Sequence, residues 1–502
     1  MLPKAASTTT PPTRRPANLA PVHRDHKTRL YARVNKLVIL TYILTRHGCV
    51  VILPVLVICP RPARNGLAKN VPMRAEPPEA NPRERALPVR RGTKQTGVRL
   101  YNERLVLSLV RQHGALPRAS IARLTGLSPP TVSEIVRQLE ADRLLRREPR
   151  QRGRIGQPST PLSLEPDGAF AIGVKVGRRS ADILLMDFVG RVRHELHHTY
   201  PYPSPGHLLD LIGEGSATLA RRLSGQERAR IAGLGIAMPF ELWNWEEEVG
   251  APLGAMRAWE AVDLRAEVAR ISEFPVYLCN DATAGCAAVH LFGHAAAYPE
   301  FVYVFIAWFV GGGVVIDGNL FPGRSGYAGS LGQMLVPAGC ENGRPIMKQL
   351  LHRASIYVLA ARVAAAGGDP RPIWESDDWH GIAAEPLDAW IDEVGDGVAH
   401  ALVAAGSVID FQAAIIDGAM PPAIRSRILA KIIEKFEGLE RKGLPNFDIV
   451  EGEIGYRARA IGGASLPFLA KFTRDRELLF REPEEAKIDG EAPLHAARPS
   501  AF

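Results

Sequence analysis

The stretch AIGVKVGRRSADILLMD, residues 171–187, predicts two strands joined by a tight turn at Gly177. A glycine turn between two strands can present backbone N–H groups to a phosphate. Here Lys175 precedes the glycine, and Arg178 and Arg179 follow it. Arginines can bind an anion, but they cannot replace the close backbone approach that glycine permits. The residue types therefore favour the hairpin and argue against a phosphate loop.

Asn280 and Asp281 lie where a predicted strand, VYLCN, runs into a predicted helix, DATAGCAAVHLF. A carboxylate and an amide at this point can accept hydrogen bonds from the hydroxyl groups of a ligand. Both residue types also cap helix N-termini, with no ligand involved. The pair is therefore a candidate for ligand binding or for simple helix capping.

Charge is distributed unevenly along the chain. The 502 residues carry a net charge of +9, and the length suffices for two or three domains. Residues 1–95 carry +14, residues 96–165 carry +6, and residues 166–502 carry −11. A polyanion is therefore expected to contact the first part of the chain.

Residues 1–95 contain 13 prolines, and we expect a poorly ordered, basic extension there. The apolar stretch Leu37–Cys59 has the length of a membrane helix, which remains the alternative interpretation. Arg46 and His47 at its middle and Pro54 in its second half argue against that helix. We therefore expect no membrane partner and a cytoplasmic location.

The cysteines are few and scattered along the chain. None of the five forms a CxxC pair. A disulfide framework and a thiolate zinc cluster are therefore not indicated, and a reducing compartment fits this pattern.

Residues 96–165 show the pattern of a winged helix-turn-helix. Asn102, Ser120 and Ser128 are predicted N-caps of successive helices, and Gly114 and Gly126 are predicted to end the first two. The third helix has an inward apolar face, formed by Val132, Ile135, Val136 and Leu139. A basic hairpin follows, which is typical of a wing.

The predicted partner of this region is a double-stranded DNA operator, with the third helix in the major groove. A basic linker between domains is the alternative interpretation of the wing tip. The candidate DNA contacts on the helix and at the wing tip are Ser128, Pro129, Thr131, Ser133, Arg137, Arg152, Arg154 and Gln157.

From residue 166 the order of strands and helices indicates an α/β body. The segments GIAMP, PVYLCNDATAGCAA and GGGVVIDGNLFPGRSGYAGSLGQM, together with the winged helix, resemble the ROK family (repressors, open reading frames and kinases). The resemblance implies an α/β fold with an N-terminal winged helix-turn-helix and a two-lobed, actin-like or ribonuclease H-like body of the sugar-kinase type. We expect the first lobe at 166–290, the second at 291–480 and a tail at 481–502.

The chain departs from the kinases of this family at both phosphate loops. Those kinases carry Asp-x-Gly-Gly-Thr where this chain has Lys175–Arg179, and their second loop reads Gly-Thr-Gly where this chain has Trp308 and Phe309. Their zinc-binding histidine and cysteines are also missing, because the corresponding stretch reads Ser330-Leu331-Gly332-Gln333 and retains a single thiol, Cys340. We therefore expect no catalytic residues, no metal site and no cofactor.

The resemblance implies a sugar site in the cleft between the lobes. The residues that match the positions of the family's sugar ligands are Asn280, Asp281, Ser330 and Gln333. We expect a regulator, most simply a repressor of sugar-related genes, with a sugar or sugar derivative as effector and a homodimer or higher homo-oligomer as the working form. Two alternatives remain: a residual ATP-dependent sugar kinase with a DNA-binding appendage, and a ligand-independent regulator whose body only dimerises.

Overall fold

The computed structural model describes residues 30–34, 37–46, 49–57, 95–150, 159–246, 250–375 and 378–474. The chain divides into two compact units, Met1–Pro88 and Val89–Phe502. In the first unit, three strands form an antiparallel sheet in the order β1-β2-β3, and these are β1 (Leu30–Val34), β2 (Leu37–Arg46) and β3 (Cys49–Val57).

We expected a poorly ordered extension over residues 1–95, whereas residues 30–57 contain these three strands. Runs of Val, Ile, Leu and Tyr have high β-propensity, which accounts for the strands in this apolar stretch. Among the described residues, no helix combines the length and the apolar character that a bilayer crossing requires.

The second unit begins with a winged helix. Its elements are α1 (Gln95–His113), α2 (Arg118–Thr125), α3 (Pro129–Ala141), β4 (Leu145–Arg147) and β5 (Leu162–Leu164). Strands β4 and β5 pair antiparallel, as expected for the base of a wing. Gly114 and Gly126 adopt the left-handed conformation at the ends of α1 and α2, as the sequence predicts.

Two predicted helix caps are wrong. Asn102 lies inside α1, which begins at Gln95, because no proline or turn residue forces a start at position 102. Ser120 lies inside α2, which begins directly after Pro117. The backbone of Leu116 pairs with Leu162 of the wing and the Pro117 carbonyl accepts from Ile121 N–H, so the helix starts earlier than its sequence suggests.

The first lobe is built on a five-stranded sheet in the order β10-β9-β6-β7-β8. Its strands are β6 (Phe170–Val176), β7 (Ser180–Asp187), β8 (Val192–Thr199), β9 (Ile231–Met238) and β10 (Val276–Asn280). Its helices are α4 (Pro205–Ala220), α5 (Gly225–Arg228), α6 (Leu264–Ile271) and α7 (Asp281–Phe292).

The second lobe has a five-stranded sheet in the order β13-β12-β11-β16-β17 and a separate hairpin, β14-β15. Its strands are β11 (Phe301–Ile306), β12 (Gly311–Ile316), β13 (Asn319–Leu320), β14 (Leu335–Glu341), β15 (Arg344–Gln349), β16 (Ala413–Gly418) and β17 (Asp448–Glu451). The helices from here to the end of the described chain are α8 (Leu351–Ala354), α9 (Ile356–Ala365), α10 (Pro372–Glu375), α11 (Ala384–Gly406), α12 (Pro422–Glu437) and α13 (Ala458–Phe472).

The two sheets share one topology. In the first sheet, β6 pairs antiparallel with β7 and parallel with β9, and β9 pairs parallel with β10. In the second sheet, β11 pairs in the same way with β12 and β16, and β16 pairs parallel with β17. The central strands are buried on both faces and are almost continuously apolar, as parallel strands covered by helices should be. This repeated arrangement is the two-lobed, sugar-kinase-type body that the sequence predicts.

Helix α13 packs on the first sheet, although we expected the second lobe to extend over residues 291–480. A Cβ at Gly173 of this sheet would overlap the Ala460 carbonyl of α13, and a Cβ at Gly235 would overlap the Gly463 carbonyl. Glycine at these positions lets the helix approach the strands closely.

The winged helix shares a hydrophobic core with the first lobe. Val106 and Val110 of α1 belong to the same buried cluster as Phe188 and Phe468 of the body. Arg104 of α1 donates to the backbone carbonyls of Ala470 and Thr473 at the end of α13, at 3.0 and 3.5 Å. The DNA-binding region is therefore attached to the body through α1.

Candidate DNA-binding and ligand-binding sites

The third helix of the winged helix presents a polar face to solvent. Ser128 caps it, because its hydroxyl oxygen accepts a hydrogen bond from Thr131 N–H at 3.3 Å, and Pro129 occupies the first helical position. Ser133 and Arg137 are exposed, whereas Thr131 is half-buried. The predicted apolar face, Val132, Ile135, Val136 and Leu139, is buried.

The base of the wing holds its arginines in internal ion pairs. Arg147 pairs with Glu140 at 2.6 Å, and Arg146 pairs with Glu148 at 3.0 Å. The first pair joins the hairpin to α3 and the second lies within the hairpin, so the DNA contacts predicted for the wing fall on its tip. The predicted contacts at that tip, Arg152, Arg154 and Gln157, lie outside the described residues.

A cavity of about 140 Å³ lies between the two lobes. The four residues predicted to bind sugar all line it, and they come from the end of β10, the start of α7 and the segment after β13: Asn280, Asp281, Ser330 and Gln333. We refer to this cavity as the cleft. The structure thus brings together residues that are separated by 50 positions in the sequence.

Asn280 and Asp281, where β10 runs into α7, share one hydrogen-bond donor and differ in a second partner. The side-chain oxygen of Asn280 accepts from Ala282 N–H at 3.0 Å and caps the helix. The Asp281 carboxylate forms an ion pair with Arg459, whose Nη1 lies 3.1 Å from Oδ2, and its Oδ1 also accepts from Ala282 N–H at 3.0 Å. Both side chains of this ion pair are largely buried, at 15% and 16% exposed. Both side chains therefore help to cap the helix, and Asp281 in addition pairs with an arginine at the cleft.

Sequence reasoning missed Arg459 and a second pair of residues in the cleft. The Tyr327 hydroxyl donates to Glu241 at 3.1 Å. This hydrogen bond joins the second lobe to the first across the opening of the cleft. The Phe240 ring packs edge-on against Tyr327 with centroids 5.3 Å apart. Burial, reinforced by the Glu241 charge, raises the pKa of Tyr327 to about 12, so the phenol stays protonated and remains a donor. No local motif marks these residues, because they meet only in the folded chain.

The first hairpin forms as predicted, with Gly177 N–H donating to the Ser180 carbonyl at 2.8 Å across the turn. Lys175, which stands at the position of the kinase carboxylate, is buried and donates to Asp182 at 2.9 Å and to Ser180 Oγ at 3.1 Å. Burial, followed by the Arg459 charge, lowers the pKa of Lys175. Because this position holds a lysine, it offers no carboxylate to a metal ion. The lysine ammonium is already hydrogen-bonded to Asp182 and Ser180.

Arg178 and Trp308 connect the two loops that hold phosphates in related kinases. The Arg178 guanidinium lies 3.5 Å from the centroid of the Trp308 ring and 5.6 Å from that of Trp374. This cation–π contact spans the cleft from the first hairpin to the second. Both residues line the cleft, and their stacked side chains lie between the two loops.

The glycines of the second loop are explained by packing. A Cβ at Gly312 would overlap the Tyr303 carbonyl, and one at Gly313 would overlap the Cys286 side chain. A Cβ at Gly311 would press on Ala282 of α7. The run Gly311–Gly313 therefore allows β12 to lie close to β11 and α7, and a phosphate cradle is not needed to account for it.

The described residues contain no cluster of His, Cys, Asp or Glu arranged to hold a metal ion. Cys340, the one thiol left from the family's zinc motif, is exposed on β14. Gln333, at the position of the family histidine, is exposed at the mouth of the cleft.

Comparisons with known proteins match both parts of the chain. Residues 171–467 match the model of the ROK family, and residues 99–146 match a model described as winged helix-turn-helix DNA-binding. The chain is 26% identical over 242 residues to a xylose repressor of Bacillus spizizenii, a match covering 48% of this chain and 62% of that one.

A second relative matches along most of its length. The chain is 25% identical over 398 residues to an N-acetylglucosamine repressor of Escherichia coli O6:H1, covering 74% of this chain and 92% of that one. Among solved structures, a ROK family transcriptional regulator described as a homolog of the E. coli MLC protein aligns with a TM-score of 0.53 at 19% identity. That alignment covers 76% of this chain and 97% of the other, and it shows a common fold.

Proposed function

The chain belongs to the ROK family, and we propose that it is a repressor that binds DNA as a homodimer and responds to a sugar bound in the cleft. It is a winged-helix transcriptional regulator whose body has the fold of a sugar kinase. The relatives reported above are repressors, which supports a regulator rather than an enzyme. We further propose that it works in the cytoplasm, where DNA and sugar metabolites meet.

The observation that carries this proposal is the contrast between the two halves of the cleft. The sugar side retains Asn280 and Asp281 at the start of α7, next to Ser330 and Gln333. The phosphate side is occupied by the stack of Arg178 on Trp308. A cleft of this kind can bind hydroxyl groups while it excludes the nucleotide that phosphoryl transfer requires, which argues against the residual-kinase alternative.

The polar groups of the cleft suit a neutral, hydroxyl-rich ligand. The Asp281 carboxylate accepts hydrogen bonds, while Ser330 and Gln333 can both donate and accept. The Phe240 and Tyr327 rings add apolar faces that can pack against the C–H face of a sugar ring. Because relatives are named for xylose and N-acetylglucosamine, those two sugars begin the test panel.

Two helices connect the cleft to the DNA-binding region. Helix α7 carries Asp281 at its first residue, and α13 carries Arg459 near its start. The far end of α13 accepts hydrogen bonds from Arg104 of α1. We propose that lobe closure around a sugar moves these helices and changes the spacing of two winged helices in a dimer, which alters operator affinity by a coupling of about 1–3 kcal/mol.

The following measurements on the full chain test this function. Selection of bound sequences from genomic fragments should recover sites with two-fold symmetry, and analytical ultracentrifugation should give a dimer. Thermal unfolding with a panel of neutral sugars should show a rise in melting temperature with at least one of them. Specific DNA binding without stabilisation by any sugar would favour the ligand-independent alternative, and ATP consumption with a sugar would favour the kinase.

A further inference from the structure

A second cavity, of about 250 Å³, lies where α1 of the winged helix meets the body. Ser108 and Arg111 of α1 line one side of it, and His290 of α7 and Arg474, just after α13, line the other. We refer to it as the junction cavity. It is separate from the cleft, since the residues that line the two cavities do not overlap.

Two buried polar atoms in the junction cavity make no hydrogen bond with any described residue. They are the hydroxyl oxygen of Ser108 and Nδ1 of His290. A buried polar group without a hydrogen-bond partner costs roughly 1–3 kcal/mol, so buried polar groups are generally hydrogen-bonded. Where the protein chain supplies no partner, a bound molecule or ion generally does. Both residues therefore indicate that something polar occupies this cavity.

The proton on His290 can be assigned from its surroundings. Burial, followed by the positive charge of Arg474, lowers the pKa of His290 to about 4, so the ring is neutral near pH 7. The Gly318 backbone acts on the ring as a hydrogen-bond acceptor would, whereas Nδ1 has no partner among the described residues, so we assign the ring proton to the other nitrogen and Nδ1 as an acceptor. A ligand group beside His290 must therefore donate a proton to it.

The charges of the junction cavity are positive. Arg111 donates to the Phe188 carbonyl at 2.7 Å and stacks 4.7 Å from the centroid of the Phe188 ring, which fixes its guanidinium at the cavity wall. The guanidinium of Arg474 packs against Gly318 on the opposite side. No aspartate or glutamate is among the lining residues. The charge of Asp187 also acts on Arg111, but the Asp187 carboxylate is ion-paired with Arg193. The cavity is therefore suited to an anion.

We propose that the junction cavity binds a small anion that also carries a hydroxyl proton, either a hydrogen phosphate or phosphate ester or a hydroxycarboxylate. The anionic oxygens accept from Arg111, Arg474 and the Ser108 hydroxyl. The hydroxyl of the ligand donates to His290 Nδ1. Such a ligand bridges α1 to α7 and α13, so it fixes the DNA-binding region against the two helices that line the cleft.

Matched pairs of anions test the proposal with the full chain. Inorganic phosphate and sulfate have the same shape, but near pH 7 only phosphate retains a proton to donate; glycolate and acetate differ in one hydroxyl group. Binding is measured by isothermal titration calorimetry and by thermal unfolding at constant ionic strength. We expect phosphate to bind at least tenfold more tightly than sulfate, or glycolate at least tenfold more tightly than acetate, and the pair that discriminates identifies the ligand class.

Three variants locate the binding. Ser108→Ala and Arg474→Gln should each weaken the preferred anion by about tenfold, whereas Arg371→Gln, an exposed arginine of the second lobe, should bind it as the wild type does. Ser108→Ala places a good helix former in α1 and keeps the fold. The proposal is overturned if none of the four anions binds more tightly than chloride at the same ionic strength. It is also overturned if neither matched pair shows a difference in affinity, or if Ser108→Ala and Arg474→Gln both bind with wild-type affinity. None of these outcomes depends on whether a sugar binds the cleft.

Discussion

Arg459 and Asp281 form an ion pair at 3.1 Å that joins the first turns of α13 and α7 at the cleft. The two helices are in such close contact that a Cβ at Gly462 would overlap the Ala284 carbonyl. In kinases that this chain resembles, the corresponding aspartate takes a proton from the sugar. Here the arginine holds the carboxylate in one orientation, and the groups that would position a nucleotide are replaced. In the function proposed above, this carboxylate accepts a hydrogen bond from a hydroxyl group of the ligand.

The contact between Arg178 and Trp308 should hold the two lobes together. A double-mutant cycle of Arg178→Ala and Trp308→Leu is expected to give a coupling free energy of about 1 kcal/mol in denaturant unfolding, as for a partly desolvated cation–π pair. Arg179→Ala serves as the control, because Arg179 lies in the same turn but is exposed. The stack does not bridge the lobes if the coupling free energy between Arg178 and Trp308 is near zero, or if Arg179 and Trp308 show an equal coupling.

DNA binding should depend steeply on salt, with a contribution from the tip of the wing. Each arginine that neutralises a phosphate adds about 0.9 to the slope of log affinity against log salt concentration. Replacing Arg152 and Arg154 together with alanine should therefore make the slope shallower by about 2, as measured by fluorescence anisotropy with operator DNA. Arg371→Ala should leave it unchanged. If the double variant keeps the wild-type slope, the wing tip does not contact phosphates.

His290 should make the protein less stable in mild acid. Its pKa is about 4 in the folded chain, against about 6.5 for an unperturbed histidine, so the unfolded chain binds more protons between these values. Stability is therefore lost as the pH falls from 6.5 towards 4, by up to about 3 kcal/mol. In His290→Gln, which stays neutral, denaturant unfolding should show a correspondingly smaller loss. Identical pH profiles for the two proteins would contradict the assignment of a neutral histidine.

The close approach of α7 and α13 should make Gly462 intolerant of a side chain. Alanine would ordinarily stabilise a helix interior by about 1 kcal/mol, but here its Cβ overlaps the Ala284 carbonyl. We expect Gly462→Ala to lower the free energy of unfolding by about 2 kcal/mol or more. Gly206→Ala, at an open position in α4, should change it by less than about 1 kcal/mol. Wild-type stability of Gly462→Ala would refute the tight contact.

Local patterns in the sequence predict much of this architecture. The turn at Gly177, the apolar face of α3 and the junction of β10 with α7 each follow from neighbouring residues, and the structure has each of them. The family motifs also identify which residues of the cleft to examine. Periodicity and capping rules suffice where the residues that decide a feature are adjacent in the chain.

The remaining features depend on residues that are distant in the sequence. Arg459 pairs with a carboxylate 178 positions earlier, and Tyr327 meets Glu241 from the other lobe. The predicted cap at Ser120 failed because the pairing of Leu116 with the wing starts the helix sooner. The junction cavity likewise depends on how α1 docks on the body, which no single segment specifies.

The most direct test of the account is the affinity of the full chain for its selected operator, titrated with neutral sugars, in the wild type and in Asp281→Asn. We predict that at least one sugar weakens wild-type operator binding by about tenfold or more. Asp281→Asn should bind the operator equally well without sugar and lose that response, because its amide can no longer serve as the charged acceptor. If no sugar changes operator affinity, or if Asp281→Asn responds as the wild type does, the cleft is not the sensor that we propose.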